Sequence, residues 1–212
     1  MTPHSWIFPI ASIATLLAYG LHLAWRSGRR AQHVHADLRA DWFNAVSAQA
    51  GTEVLAVQTL RNSVMTATMI ASTSALGLMG AISLSAPSLH ALLDAEASPA
   101  LLTPRSVLEF ALMALLFTTV VVSAMAVRNY THAGFVVGMP VDSAARQRWA
   151  AAGKSHLRNA GVLYGWGWRC LVLVAPILVS MVQAAAGLAA ALLVTGVLLR
   201  VERSAVADDH SL

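Results

Sequence analysis

Three Arg-Asn dipeptides, Arg61-Asn62, Arg128-Asn129 and Arg158-Asn159, stand in or beside long apolar runs of the chain. A guanidinium is a planar fork of N–H donors that grips a phosphate or carboxylate at two points, and a neighbouring carboxamide adds a directional donor or acceptor. Gln58 lies one helical turn before Asn62, and the stretch RNYTHAGF puts Tyr130 and His132 just behind Arg128-Asn129. Polar groups at membrane depth are costly unless they snorkel, pair or line a wet cavity. Gln58, Arg61, Asn62, Arg128, Asn129 and His132 are therefore the candidate ligand-binding residues, and their shared chemistry is attraction for a small anion or a lipid headgroup. For Arg128 and Arg158, snorkelling to phospholipid without selectivity is the plainer account.

The elements that must carry these groups are membrane helices. Of 212 residues, 57% are hydrophobic and only 11% charged, against about 25% charged in soluble proteins. Runs near the roughly 20 residues a span requires occur at 6–25, 64–86, 107–127 and within 170–199. The expected fold is all-α, a polytopic bundle of four transmembrane helices in one integral membrane domain, with amphipathic helices in cytoplasmic segments 26–63 and 128–169. The last run is read as a single long helix, tilted or bent at Pro176, with a re-entrant break near Gln183 to Gly187 left open. In the first cytoplasmic segment, Val34, Leu38, Trp42 and Val46 recur every four residues, the pattern of an interfacial or bundle-packed helix over 31–49. In the second, Asp142 or Ser143 can cap a helix through Trp149 and Arg158, which Gly161, Gly165 and Gly167 then interrupt. Pro87 to Arg105 reads as a short outer loop.

Charge sets the expected orientation. Eleven of the 14 basic residues fall between the first and second or the third and fourth runs, so the positive-inside rule puts both long segments in the cytoplasm and both termini outside. The pI of about 10.0 then reflects topology, and no nucleic-acid partner is expected. The first run has no basic residue before it and a basic cluster after it, opposite to a cleavable signal, so it is read as a retained anchor. The Ala-rich, Lys-poor usage points to a bacterial cytoplasmic (inner) membrane.

On the second run Gln58, Asn62 and Thr66 share one helical stripe, and Arg61, Thr68 and Ser72 a neighbouring one. Bundle hydrogen bonding explains the hydroxyls. Glu109 opens the third run, where a helix dipole stabilises a carboxylate without any function. His22 and His132 raise the question of a b-type haem, but paired mid-span histidines are missing from the sequence. Cys170 is the single cysteine, and no metal-ligand spacing, P-loop, nucleophile elbow or dinucleotide fingerprint occurs, so neither a cofactor nor an enzyme is indicated. Gly161 and Gly165 in GxxxG spacing, with Gly77, Gly80 and the alanines of 184–191, offer small faces for close helix approach, within one bundle or in a homo-oligomer.

The segment AVQTLRNSVMTATMIAST, with the later RNYTHAGF and YGWGWR, resembles the membrane-protein family known as domain of unknown function 599 (DUF599), over about Trp42 to Val201. Its most specific piece is the Gln-Thr-Leu-Arg-Asn-Ser core. The resemblance implies an integral membrane protein with a few helical spans and no established activity. Cys170 and Val172 depart from the bulkier aromatics usual in that pattern. The expectation is a membrane protein that binds or passes a small anionic solute or lipid headgroup, with membrane lipid and further copies of itself as partners. The competing readings are an accessory subunit docking a partner through its cytoplasmic helices, and a haem electron carrier.

Overall fold

A computed structural model describes residues 4–93 and 103–209. Six helices account for almost all of it: α1 (His4–Ala24), α2 (Arg26–Ala48), α3 (Glu53–Leu93), α4 (Pro104–Val137), α5 (Ala144–Val182) and α6 (Ala184–Asp209). Among the described residues there is no strand, so the expected all-α class of membrane bundle holds. Five helices, all but α2, are long and apolar enough to cross a membrane, one more than the sequence count.

The extra helix comes from the last apolar run, which is a hairpin instead of one long rod. Pro176 sits inside α5 without ending it, and the break falls at Gln183, whose backbone is extended. Gln183 caps both sides: its N–H donates to Val179 O at 2.8 Å, and its carbonyl accepts from Gly187 N at 3.0 Å. A Cβ on Gly187 would collide with the Ser180 side chain and Cα, so only glycine lets the two arms close this tightly. α6 then runs back along α5 and alongside α1. Residues 4 and 204 consequently lie at opposite ends of the bundle, against the expectation that both chain ends share one side.

Other expectations change at glycines and prolines. α5 continues unbroken through Gly161, Gly165 and Gly167, because buried glycines here serve close approach and not termination. A Cβ on Gly167 would lie 2.5 Å from Ser123 Oγ on α4, and one on Gly153 2.8 Å from Val136. α3 runs through Pro87 to Leu93; the remainder of the outer connection, 94–102, lies outside the described residues. Ser143 caps α5 as expected, its Oγ accepting from Arg146 N at 3.2 Å, and Thr103 with Ser106 forms a capping box on α4.

α2 packs on the bundle through Ala36, Ala40 and Phe43, a stripe at i, i+4 and i+7. The expected stripe is displaced around the helix: Trp42 and Val46 flank the core, while Leu38 is exposed. The α2–α3 turn uses Gly51 at φ +88°, and Thr52 Oγ1 donates to the carbonyls of Val46 and Gln49 at 3.0 and 2.8 Å. Leu60, Ala67, Ala126, Tyr130 and Leu157 join α3, α4 and α5 in the core at this end. Tyr19, Leu23 and Leu173 join α1 to the hairpin.

Candidate functional site

Packing α2 through its alanines and Phe43 leaves Arg39, one turn before Phe43, at the edge of the buried stripe. Its guanidinium lies across α5 at Gly161, where a Cβ would approach Nη1 to 2.5 Å and Cζ to 2.8 Å. Glycine there is what gives the cation its bed. Arg39 faces Tyr130 of α4, a residue only 3% exposed. Together with Leu38 and Trp42 of α2, Thr59, Leu60 and Ser63 of α3 and Leu157 of α5, these two residues line a cleft of about 290 Å³.

The chemistry of the cleft is sharply divided. Leu38, Trp42, Leu60 and Leu157 make apolar walls. Polar character comes from one guanidinium, one phenol and the hydroxyls of Thr59 and Ser63. Those hydroxyls donate to the backbone one turn back, to Leu55 O at 3.0 Å and Thr59 O at 3.3 Å, so their oxygens face the cleft as acceptors only. Only the guanidinium and the phenol can donate to a ligand there, and the apolar walls suit a hydrocarbon body.

The six residues singled out from sequence do not converge on this cleft. Gln58, Arg61 and Asn62 are exposed on α3, with no side-chain hydrogen bond or ion pair among the described residues. Arg128 is exposed on α4. Asn129 and His132 turn toward α5, where they meet His156. Asn129 Nδ2 donates to Met125 O at 2.8 Å, which leaves its Oδ1 to accept from His156 Nδ1 at 2.9 Å. The His132 ring packs against His156 with centroids 5.1 Å apart. Thus His132 is not opposed to His22, which is exposed on α1, and the haem reading loses its geometry. Among the described residues no three His, Cys, Asp or Glu side chains group as a metal site.

Two of the residues named from sequence stand beside residues that line the cleft, Gln58 next to Thr59 and Asn129 next to Tyr130, while sequence reasoning named no site residue on α2, which supplies Arg39. It also missed Arg146, which is 2% exposed. Nη1 of Arg146 donates to Val137 O and Met139 O, both at 2.6 Å, and Nη2 to Ser47 Oγ at 3.2 Å. The guanidinium therefore satisfies carbonyls at the α4 C-terminus and ties α2 to the α4–α5 turn. A third missed group lies between α1 and the hairpin. Glu202 Oε1 accepts from Tyr19 Oη at 2.7 Å and from Arg169 Nε at 2.9 Å. At the other end of the bundle, Glu109 is 6% exposed; Oε1 accepts from Arg105 Nε at 3.1 Å while Oε2 is buried without a partner among the described residues. Burial and an i, i+4 ion pair place it, beyond the dipole effect expected.

Over residues 7–207 the chain matches the family described as "Protein of unknown function, DUF599". The match covers nearly the whole chain, which therefore belongs to that family. No curated protein and no solved structure matches it.

Proposed function

From membership of a membrane-protein family without an assigned activity, we propose that this protein binds an anionic lipid at the cytoplasmic face of its membrane, headgroup against Arg39 and Tyr130. The observation that carries the reading is the cleft itself: one guanidinium, bedded on Gly161 and facing a buried phenol, beside the apolar walls of Leu38, Trp42, Leu60 and Leu157. A phosphate or carboxylate meets Arg39 through charge-assisted hydrogen bonds. An acyl chain covers Leu38 and Leu60, with Trp42 at headgroup depth. Binding is favoured over conduction because the core beneath the cleft is packed with Leu60, Ala67, Ala126 and Ala160.

The charge distribution supports the same orientation. With α6 turned back, Arg200 and Arg203 join the basic residues of α2 and the α4–α5 turn, and 13 of the 14 basic residues stand toward that end. Arg105 alone is at the other. Under the positive-inside rule that end is cytoplasmic, so the α6 C-terminal end is inside and the start of α1 outside.

The test is native mass spectrometry of the purified protein titrated with phosphatidylglycerol, phosphatidylcholine or inorganic phosphate. Preferential retention of phosphatidylglycerol is expected. Arg39→Gln removes a charged hydrogen-bond donor, worth about 1.5–3 kcal/mol, so affinity falls about tenfold or more. Gly161→Ala, by displacing the guanidinium, follows the same direction. Equal retention of both lipids, or an Arg39→Gln protein that binds as the wild type does, refutes the reading.

A further inference from the structure

Two histidines from separate helices meet on the flank of the bundle where α4 and α5 pack together. The rings of His132 on α4 and His156 on α5 have centroids 5.1 Å apart. Asn129, one turn before His132, fixes the second ring. Its Nδ2 donates to Met125 O, so its Oδ1 is left to accept from His156 Nδ1, at 2.9 Å. With the proton held on Nδ1, the neutral imidazole of His156 carries its lone pair on Nε2. His132 is exposed and makes no hydrogen bond among the described residues, so its ring is free to present either nitrogen.

The separation is that of two imidazoles on one tetrahedral ion. Zinc lies about 2.0–2.1 Å from a ligating nitrogen, so each ring centroid stands about 3.2 Å from the ion, and two rings at the tetrahedral angle are about 5.2 Å apart. At the right angle of an octahedral or square-planar ion the same arithmetic gives about 4.5 Å. The observed 5.1 Å fits the tetrahedral case. Asn129 supplies what such a ligand needs, because a ligating histidine almost always has its other N–H held by an acceptor that sets tautomer and ring direction. Nearby charge leaves room for a cation. Lys154 and Arg158 line a cleft on the α2 side of α5 with Asp37 and Asp41, and Arg158 pairs with Asp37 at 3.3 Å. Arg128, one turn before His132, is exposed, where water and salt screen it.

We propose that His132 and His156 bind a zinc ion, His156 through Nε2, with water completing the tetrahedron and Asn129 acting as the positioning residue. Imidazole is a ligand of choice for this class of divalent cation. The ion would clip α4 to α5 at the basic end of the bundle, at a spacing the two helices already hold. None of the three residues lines the Arg39 cleft, so the zinc site stands or falls apart from lipid binding.

The test uses the full-length protein without a polyhistidine tag, freed of metal by a chelator in mild detergent and titrated with Zn²⁺ by calorimetry. One zinc per chain is expected. His132→Ala, at an exposed position, and His156→Gln are expected to lose it, whereas His22→Ala, exposed on α1, keeps it. Asn129→Leu should hold the same stoichiometry with affinity lowered about 10–100-fold. Co²⁺ in place of zinc reports the geometry: the intense visible absorption of a four-coordinate ion is expected, and is lost in His132→Ala. Absence of stoichiometric zinc binding overturns the proposal, as does a cobalt spectrum of a six-coordinate ion. So do retention of zinc by His132→Ala, an equal loss in His22→Ala, or an Asn129→Leu protein with wild-type affinity.

Discussion

Removing the carboxylate of Glu202 isolates the forces that hold α6 against the bundle. Two donors from two other helices, Tyr19 Oη and Arg169 Nε, converge on the single oxygen Oε1. The ion-paired side chains of Arg169 and Glu202 are only 15% and 12% exposed, so solvent screening does little to weaken the pair. If the contacts behaved as neutral interhelical hydrogen bonds, about 0.6 kcal/mol each is the measured average, and Glu202→Ala would cost roughly 1 kcal/mol. A guanidinium left without its counter-charge costs more, about 3–5 kcal/mol when fully buried, and for Arg169, 15% exposed, the lower end of that range is the expected one. The double variant Arg169→Leu with Glu202→Leu removes both charges and should recover most of the loss, because apolar replacement of a buried pair is close to neutral. Unfolding in mixed micelles, read by circular dichroism through the complete double-mutant cycle, measures the coupling. Additive losses, or a Glu202→Ala penalty below about 1 kcal/mol, would mean that the ion pair does not fasten the hairpin.

Arg146→Ala should destabilise by about 3–5 kcal/mol, since it strips donors from buried carbonyls at the α4 C-terminus, and Arg146→Lys should rescue only in part because it lacks the planar fork that reaches Val137 O, Met139 O and Ser47 together; the same micelle assay decides. A reporter enzyme active only outside the cytoplasm, fused after α6, is expected to be silent, and activity there would reverse the assigned orientation.

The long apolar segments were legible because the 20-residue requirement of a bilayer leaves little choice of length. Where the sequence was misread, the determinant was a contact between segments distant in the chain. The break at Gln183 falls where the sequence left one open between Gln183 and Gly187, but the full chain reversal shows its reason only when Gly187 is seen against Ser180. Gly161 and Gly167 look like helix breakers until Arg39 and Ser123 are found lying over them. For the cleft, adjacent helical residues point about 100° apart, so correct depth with incorrect rotation selects Gln58 and Asn129 in place of Thr59 and Tyr130. Rotation is fixed by which face packs, and on α2 that face is Ala36, Ala40 and Phe43, a stripe in which two small residues carry little hydrophobic signal. Arg39 was overlooked for the same reason.

The hairpin also removes a difficulty left by the charge count. With four crossings the chain would carry Arg105, Arg200 and Arg203 on the outer face, three departures from the positive-inside rule, two of them immediately beside the end of a span where the rule weighs most. A fifth crossing returns Arg200 and Arg203 to the basic end and brings Glu202, between them, level with Arg169. The same turn therefore corrects the charge asymmetry and supplies a buried guanidinium with its counter-charge. A single long helix would leave Arg169 in the apolar bundle without that carboxylate and strand Glu202 on the far side. Two independent electrostatic requirements, one set by the membrane and one by the protein interior, favour the same chain reversal at Gln183.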